Sequence, residues 1–145
     1  MTTEATAIER EVRIEASPET VFGFLIESDK MEPWMGSNVT LDPTPGGIYR
    51  CDINGRDIAA GEFVEVTPHS RVVYTWGWEG SPIEPGSSTV EITLTADGDA
   101  TIVKLVHSDI PAPAREEHGQ GWELYLGRLA VAATGGDPGA DPNMA

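Results

Sequence analysis

The sequence predicts an α+β fold: a curved antiparallel sheet wrapped around a long C-terminal helix, with two short helices after the first strand. Three observations carry this. Apolar and polar residues alternate through most of the segments between 8 and 108. The links between those segments are short and hold Gly, Pro, Asn and Asp, as reversing turns require. One extended helical pattern comes last, and no regular βα alternation precedes it, which argues against a doubly wound parallel sheet.

In chain order, Ile8, Arg10, Val12 and Ile14 share one parity of IEREVRIE, and Glu9, Glu11, Arg13 and Glu15 the other, a half-buried strand over 8–15. Ser17-Pro18-Glu19 then supplies an N-cap, a proline for the first turn and an acid for the positive helix end. Val21, Phe22, Leu25 and Ile26 recur at helical spacing, so a helix is expected over about 18–27. A second short helical turn is expected over 29–33, ending before Pro33, with Trp34, Met35 and Gly36 after it. Strands follow at 38–42, 47–53, 58–67, 71–78, 88–95 and 100–108. Tyr49, Cys51 and Ile53 share a side, as do Val72, Tyr74, Trp76 and Trp78, then Val90, Ile92 and Leu94, then Thr101, Val103, Leu105 and His107. Glu65 takes the parity of Phe63. Asn54-Gly55 and Asp97-Gly98 mark hairpins. Residues 109–117 read as a crossing segment. The last helix is expected from His118 to about Ala133, with Trp122, Leu126, Leu129 and Ala133 on one face and Gly135-Gly136 as its end. Residues 1–7 and 135–145 are expected to be disordered, the latter an acidic tail, leaving one domain at 8–134.

The chain has 145 residues, enough for a single domain with a sizeable core. Its 24 acidic and 9 basic residues give a net charge of −15. That field repels polyanions, and no run of Lys or Arg offers a nucleic-acid stripe, so neither nucleic acid nor an anionic membrane is an expected partner. No apolar stretch is long enough to span a bilayer. The start, MTTEATAIEREV, has no apolar segment of the signal-peptide kind, so a cytoplasmic location is the expectation. The single cysteine, Cys51, excludes an internal disulfide and any multi-cysteine metal site. His69, His107 and His118 lack metal-ligand spacing, and no cofactor or metal is expected.

The segments IEREVRIEASPETVFGFL, EPWMG, GGIYRCDI, GEFVEVTPHSRVVYTWGW, STVEITLTADGDATIVKLVHSDIP and HGQGWELYLGRLA occur in that order. Together they resemble the SRPBCC superfamily, whose helix-grip fold is shared with Bet v 1 and START domains. Within it they are most similar to the branch named after the C-terminal domain of the Hsp90 ATPase activator Aha1. The resemblance covers about 8–133. The family's tryptophan after the short second helix corresponds to Trp34. Its central segment corresponds to Gly61, Val64, Glu65, Pro68, Arg71, Val72, Tyr74 and Trp76, with Val72 in place of a more usual leucine. Its late signatures correspond to His107, Ser108, Pro111, Gly121 and Trp122. The resemblance implies a hydrophobic cavity between the long helix and the sheet, used by members to bind apolar small molecules, with some relatives acting as cyclases, dehydratases or hydrolases. The eukaryotic co-chaperone carries an additional N-terminal domain, and the acidic surface here departs from the family, so an Hsp90 homologue is not the expected partner.

On that fold, Trp34, Tyr49, Trp76, Trp78, Trp122, Val103 and Leu126 are candidates for a ligand-facing wall, with Cys51 beside Tyr49, His107 as its polar member, and His118, one turn before Trp122, as a guard of the pocket mouth. Each has a plainer reading: core packing for the aromatics, a hydrogen-bonded structural role for His107, an inert buried thiol for Cys51, and a surface helix start for His118. Three functions follow. The first is binding of an apolar or aromatic small molecule. The second is a cyclase- or hydrolase-type enzyme using His107 with Glu65 or Cys51. The third is a co-chaperone-like interaction module. A homodimer is compatible with each.

Overall fold

The computed structural model describes residues 7–36 and 38–139. The elements are β1 (Ile8–Ile14), α1 (Pro18–Ile26), α2 (Ser28–Met31), β2 (Asn38–Leu41), β3 (Ile48–Asp52), β4 (Ile58–Thr67), β5 (Arg71–Trp76), β6 (Ser88–Asp97), β7 (Ala100–Ser108) and α3 (Ala112–Ala133). The strands form one seven-stranded antiparallel sheet in the order β1-β7-β6-β5-β4-β3-β2. Six strands run as a meander from β2 to β7, and β1 closes the far edge by pairing with β7 from Ile8↔His107 to Ile14↔Thr101. This is the α+β helix-grip arrangement. The disorder expected at the termini concerns residues that, for 1–6 and 140–145, lie outside the described ones.

Alternation decides which face is buried. Ser88, Val90, Ile92 and Leu94 of β6 and Thr101, Val103, Leu105 and His107 of β7 are all buried. The inward stripe of α3, Trp122, Tyr125, Leu126, Leu129, Ala132 and Ala133, joins them in one core with Trp34 and Leu25. Among the strand residues, Tyr49 stacks on Tyr74 at 4.0 Å between centroids, with Phe63 edge-on to Tyr49 at 5.7 Å. These rings fill the deep interior.

Local chemistry sets the ends of the elements. Ser17 caps α1, its hydroxyl accepting from the Thr20 N–H at 3.2 Å, with Pro18 in the first turn. Ser17→Ala is expected to cost about 1 kcal/mol in urea unfolding, the usual worth of such a cap. The β6–β7 hairpin pairs Asp97 with Ala100 across two residues, and Gly98 sits at φ 63°, where a side chain is strained.

Three boundaries differ from the sequence expectation by two residues or more, and a fourth difference lies inside a strand. Helix α3 begins at Ala112, six residues before His118. Two prolines made 109–117 resemble a linker, yet Pro111 precedes the helix and Pro113 lies in its first turn, where no intrahelical N–H is needed. Strand β5 ends at Trp76 rather than 78, because Gly77 turns the chain into a loop. Strand β6 runs on to Asp97. The fourth is a bulge in β4: Phe63 pairs with Tyr74 and Glu65 with Val73, so Val64 is an additional residue. Parity flips there. Glu65 therefore leaves the side of Phe63 and does not enter the interior.

Candidate functional site

One end of the sheet gathers the C-terminus of β5, the N-terminus of β6 and the C-terminus of β7 under the first half of α3. Trp76, Ser88 and His107 are brought together there by register, since Trp76 pairs with Ser88 and Val90 with His107. A cleft of about 740 Å³ opens at this end. Its floor holds Trp76 and Trp122. The β5–β6 loop contributes Trp78 and Ile83, α3 contributes His118 and Tyr125, and the β3–β4 turn contributes Ile53. Exposed Arg56, Asp57, Glu79 and Glu117 form its mouth.

The loop that carries Trp78 is pinned at its neck. The Trp78 N–H donates to Ile83 O at 2.7 Å, and Trp78 bridges to Ala59 of β4. A Cβ on Gly77 would lie 1.7 Å from the Glu84 carbonyl oxygen, so only glycine permits this approach. Trp78 then stands edge-on to Trp76 at 5.4 Å, and Trp76 lies 5.3 Å from Trp122.

Two histidines anchor the indoles. Trp122 Nε1–H donates to His107 Nδ1 at 3.0 Å. The His107 proton therefore sits on Nε2 and is donated to Ser88 Oγ at 2.9 Å, and the Ser88 hydroxyl donates to Trp76 O at 2.7 Å. Trp78 Nε1–H donates to His118 Nε2 at 2.9 Å, which leaves the His118 proton on Nδ1 facing Ala114 O at 2.9 Å. Burial pushes the His107 pKa down to about 3, and the neighbouring His118 adds to the shift. His107 is thus a neutral, fully hydrogen-bonded imidazole.

Of the sequence candidates, Trp76, Trp78 and Trp122 line the cleft. His107 lies behind it, bonded to Trp122. Trp34 is 1% exposed and donates to Phe24 O at 3.0 Å, holding the end of α1. Tyr49, Val103 and Leu126 are core residues, and burial raises the Tyr49 pKa well above its ordinary value. Cys51 is buried with its Sγ 3.7 Å from Met35 O. The pairs proposed for chemistry do not assemble. Strands β4, β5 and β6 separate Cys51 from His107. Glu65, turned outward by the bulge, accepts from Thr67 and Arg71, and these bonds hold its carboxyl below the usual range.

The sequence model of the family described as "Activator of Hsp90 ATPase homolog 1-like protein" matches residues 15–134. The chain belongs to this family. It is 26% identical over 109 residues to the human activator of 90 kDa heat shock protein ATPase homolog 1, covering 75% of this chain and 31% of that protein. The chain thus spans about a third of the length of the curated relatives it matches. The solution structure of the AHSA1-like protein of Rhizobium etli is 41% identical, with a TM-score of 0.75 over 94% of this chain and 86% of that one. DynU16, a protein of the dynemicin biosynthetic locus, shares the fold at a TM-score of 0.81 and 24% identity, over 92% of this chain and 49% of its own. These likenesses place the chain in the Aha1-like branch of the SRPBCC fold.

Sequence reasoning gave Ser88, Ile83 and Tyr125 no place at the site, and placed His118 only at the pocket mouth. Signals existed for two of them. Ser88 has the inward parity of Val90, and His118 stands four residues before Trp122 on one helix face. Ile83 lies in a loop of no period, where sequence carries no positional information. No group of His, Cys, Asp and Glu among the described residues is arranged to hold a metal ion. No helix among them is long and apolar enough to cross a membrane.

Proposed function

We propose that this protein binds an apolar or aromatic small molecule in the cleft between α3 and the β5–β7 end of the sheet. The observation that carries the reading is the open volume of about 740 Å³ walled by three indoles, two of which, Trp78 and Trp122, are fixed in orientation by hydrogen bonds. Fixed aromatic walls bind flat apolar ligands with little ordering cost, because the side chains are already held. The deep interior, filled by Tyr49, Tyr74 and Phe63, is not part of this site.

Titration with 1-aminoanthracene, an uncharged fluorescent aromatic, is expected to give saturable one-to-one binding. Trp78→Ala removes one wall and is expected to weaken it about tenfold, the worth of one well-packed aromatic contact. Absence of saturable binding to the folded wild type would exclude the reading.

A second reading is favoured by the family itself, whose human relative is named as an Hsp90 ATPase activator. Stimulation of the ATPase of the host's Hsp90 homologue by this chain would support it, and unchanged ATPase at saturating protein would dismiss it. An acid–base enzyme built on His107 has less support, since both ring nitrogens are engaged and neither Glu65 nor Cys51 is among its partners.

A further inference from the structure

Three indole N–H groups surround the cleft, and two are bonded within the protein, Trp78 to His118 at 2.9 Å and Trp122 to His107 at 3.0 Å. The third is not. Trp76 Nε1 is buried and has no hydrogen-bond partner, a condition shared among the described residues only with Arg115 Nε. Trp76 is 3% exposed and lies in the cleft floor. Buried donors are almost always paired, so an orphaned one at a cleft marks a place where something else supplies the acceptor.

The rest of the floor narrows what that is. The acceptor nitrogens of His107 and His118 are occupied by indole N–H groups, and the Ser88 hydroxyl is engaged on both sides. The floor therefore offers one uncommitted donor from Trp76 and no histidine nitrogen to receive a ligand donor. At the mouth, Asp57, Glu79 and Glu117 outnumber Arg56, on a chain of net charge −15. A ligand carboxylate would meet repulsion there.

Resting on the binding reading above, we infer that the cleft takes an uncharged aromatic ligand carrying a ketone- or quinone-type oxygen, and that Trp76 Nε1–H is the donor that receives this oxygen. The indole faces of Trp78 and Trp122 hold the ring system, and Trp76 selects its oxygen. A hydrocarbon of the same shape leaves Trp76 unpaired and forfeits the selection.

The test displaces bound 1-aminoanthracene with 2-acetylnaphthalene, 2-ethylnaphthalene and 2-naphthoate. The ketone is expected to bind about tenfold more tightly than the hydrocarbon, the usual effect of pairing a buried donor, and also more tightly than the carboxylate. Trp76→Phe keeps a ring and removes the N–H, so it is expected to erase the ketone preference while changing 2-ethylnaphthalene affinity far less. Equal affinity of ketone and hydrocarbon for the wild type overturns the inference, as does a preference that survives in Trp76→Phe. Naphthoate binding as tightly as the ketone overturns the exclusion of charge. If the variant does not fold, the wild-type pair alone decides. Displacement by neither naphthalene, with 1-aminoanthracene bound, overturns the inference and leaves the cleft reading standing. Failure of 1-aminoanthracene itself to bind overturns that reading and this inference with it.

Discussion

Replacing Arg128 with alanine is expected to lower the stability of the fold by about 2–3 kcal/mol, because one buried and three part-buried bonds to backbone carbonyls are lost together. Arg128 lies on α3 and is 8% exposed. Its Nε donates to Trp34 O at 3.0 Å, and Nη2 donates to Pro33 O and Gly139 O, each at 3.1 Å. Nη1 donates to Pro138 O at 3.1 Å. The guanidinium thus ties three separate parts of the chain: the long helix, the turn after α2, and the segment that follows α3. Removing it leaves the buried Trp34 carbonyl without this donor, while the carbonyls of Pro33, Pro138 and Gly139 lie where water has partial access. The fall corresponds to about 5–10 °C in Tm for a domain of this size. Arg128→Lys is expected to recover only part of this, since one ammonium cannot reproduce a planar fork of donors. Calorimetry of the three proteins at pH 7 checks the order. A loss under about 1 kcal/mol for the alanine variant, the size of an ordinary surface change, would show that water replaces the guanidinium at these carbonyls.

Arg128 also marks a limit of what the sequence discloses. Its partners are backbone carbonyls from distant segments, and a carbonyl carries no residue-specific signal. Strand parity, by contrast, was legible wherever pairing is regular: Val90, Ile92 and Leu94 face inward because alternation with a period of two is a property of the strand itself. Legibility stopped at Val64, where one additional residue reverses the parity and carries Glu65 to the outer face. FVEV does not announce that event, since Phe63 and Val64 are both apolar although Val64 is 52% exposed. The start of α3 was misplaced for a different reason. Pro111 and Pro113 are compatible with a linker and with a helix entry alike, and only packing separates the two. The cleft was legible in its kind but displaced in its place. Tyr49, Val103 and Leu126 have the right parity for an interior wall, but parity tells only which face a residue takes. Whether the space inside that face stays open depends on side-chain volume summed over several elements, and here the rings of Tyr49, Phe63 and Tyr74 on the adjacent strands β3, β4 and β5 pack together and fill it. The open volume therefore moves to the sheet end, where a loop held at Gly77 replaces regular packing.

Stability is expected to fall as pH drops from about 6.5 toward about 3 through His107. The sign follows from the environment. In the folded protein burial disfavours the imidazolium, while the unfolded chain exposes an ordinary imidazole that protonates first. Protons therefore stabilise the unfolded chain across that window, and the contribution is complete only above about pH 6.5. Each pH unit within it is worth about 1.4 kcal/mol, so roughly 2–3 kcal/mol is lost by pH 4.5. The bonding pattern reinforces the shift. A second ring proton would sit on Nδ1, where the Trp122 N–H already points at 3.0 Å, and would set two donors against each other. Partner by partner, His107 meets Ser88 on one nitrogen, Trp122 on the other, and the edges of Trp76 and His118 at 5.8 Å, with no carboxylate among them to favour the charged form. His107→Gln keeps a side chain that can accept from one neighbour and donate to the other but does not titrate. It is expected to be less stable than the wild type at pH 7 and to lose less stability on acidification. Carboxylates such as Glu65, whose pKa is lowered by Thr67 and Arg71, weaken both proteins alike at lower pH and cancel in the comparison. Urea midpoints of the two proteins at pH 7, 6, 5 and 4.5 should therefore converge. Parallel curves would mean that His107 takes up its proton in the folded state without loss. The neutral floor described for the cleft would then have to be given up, because Trp122 would no longer be held by an acceptor.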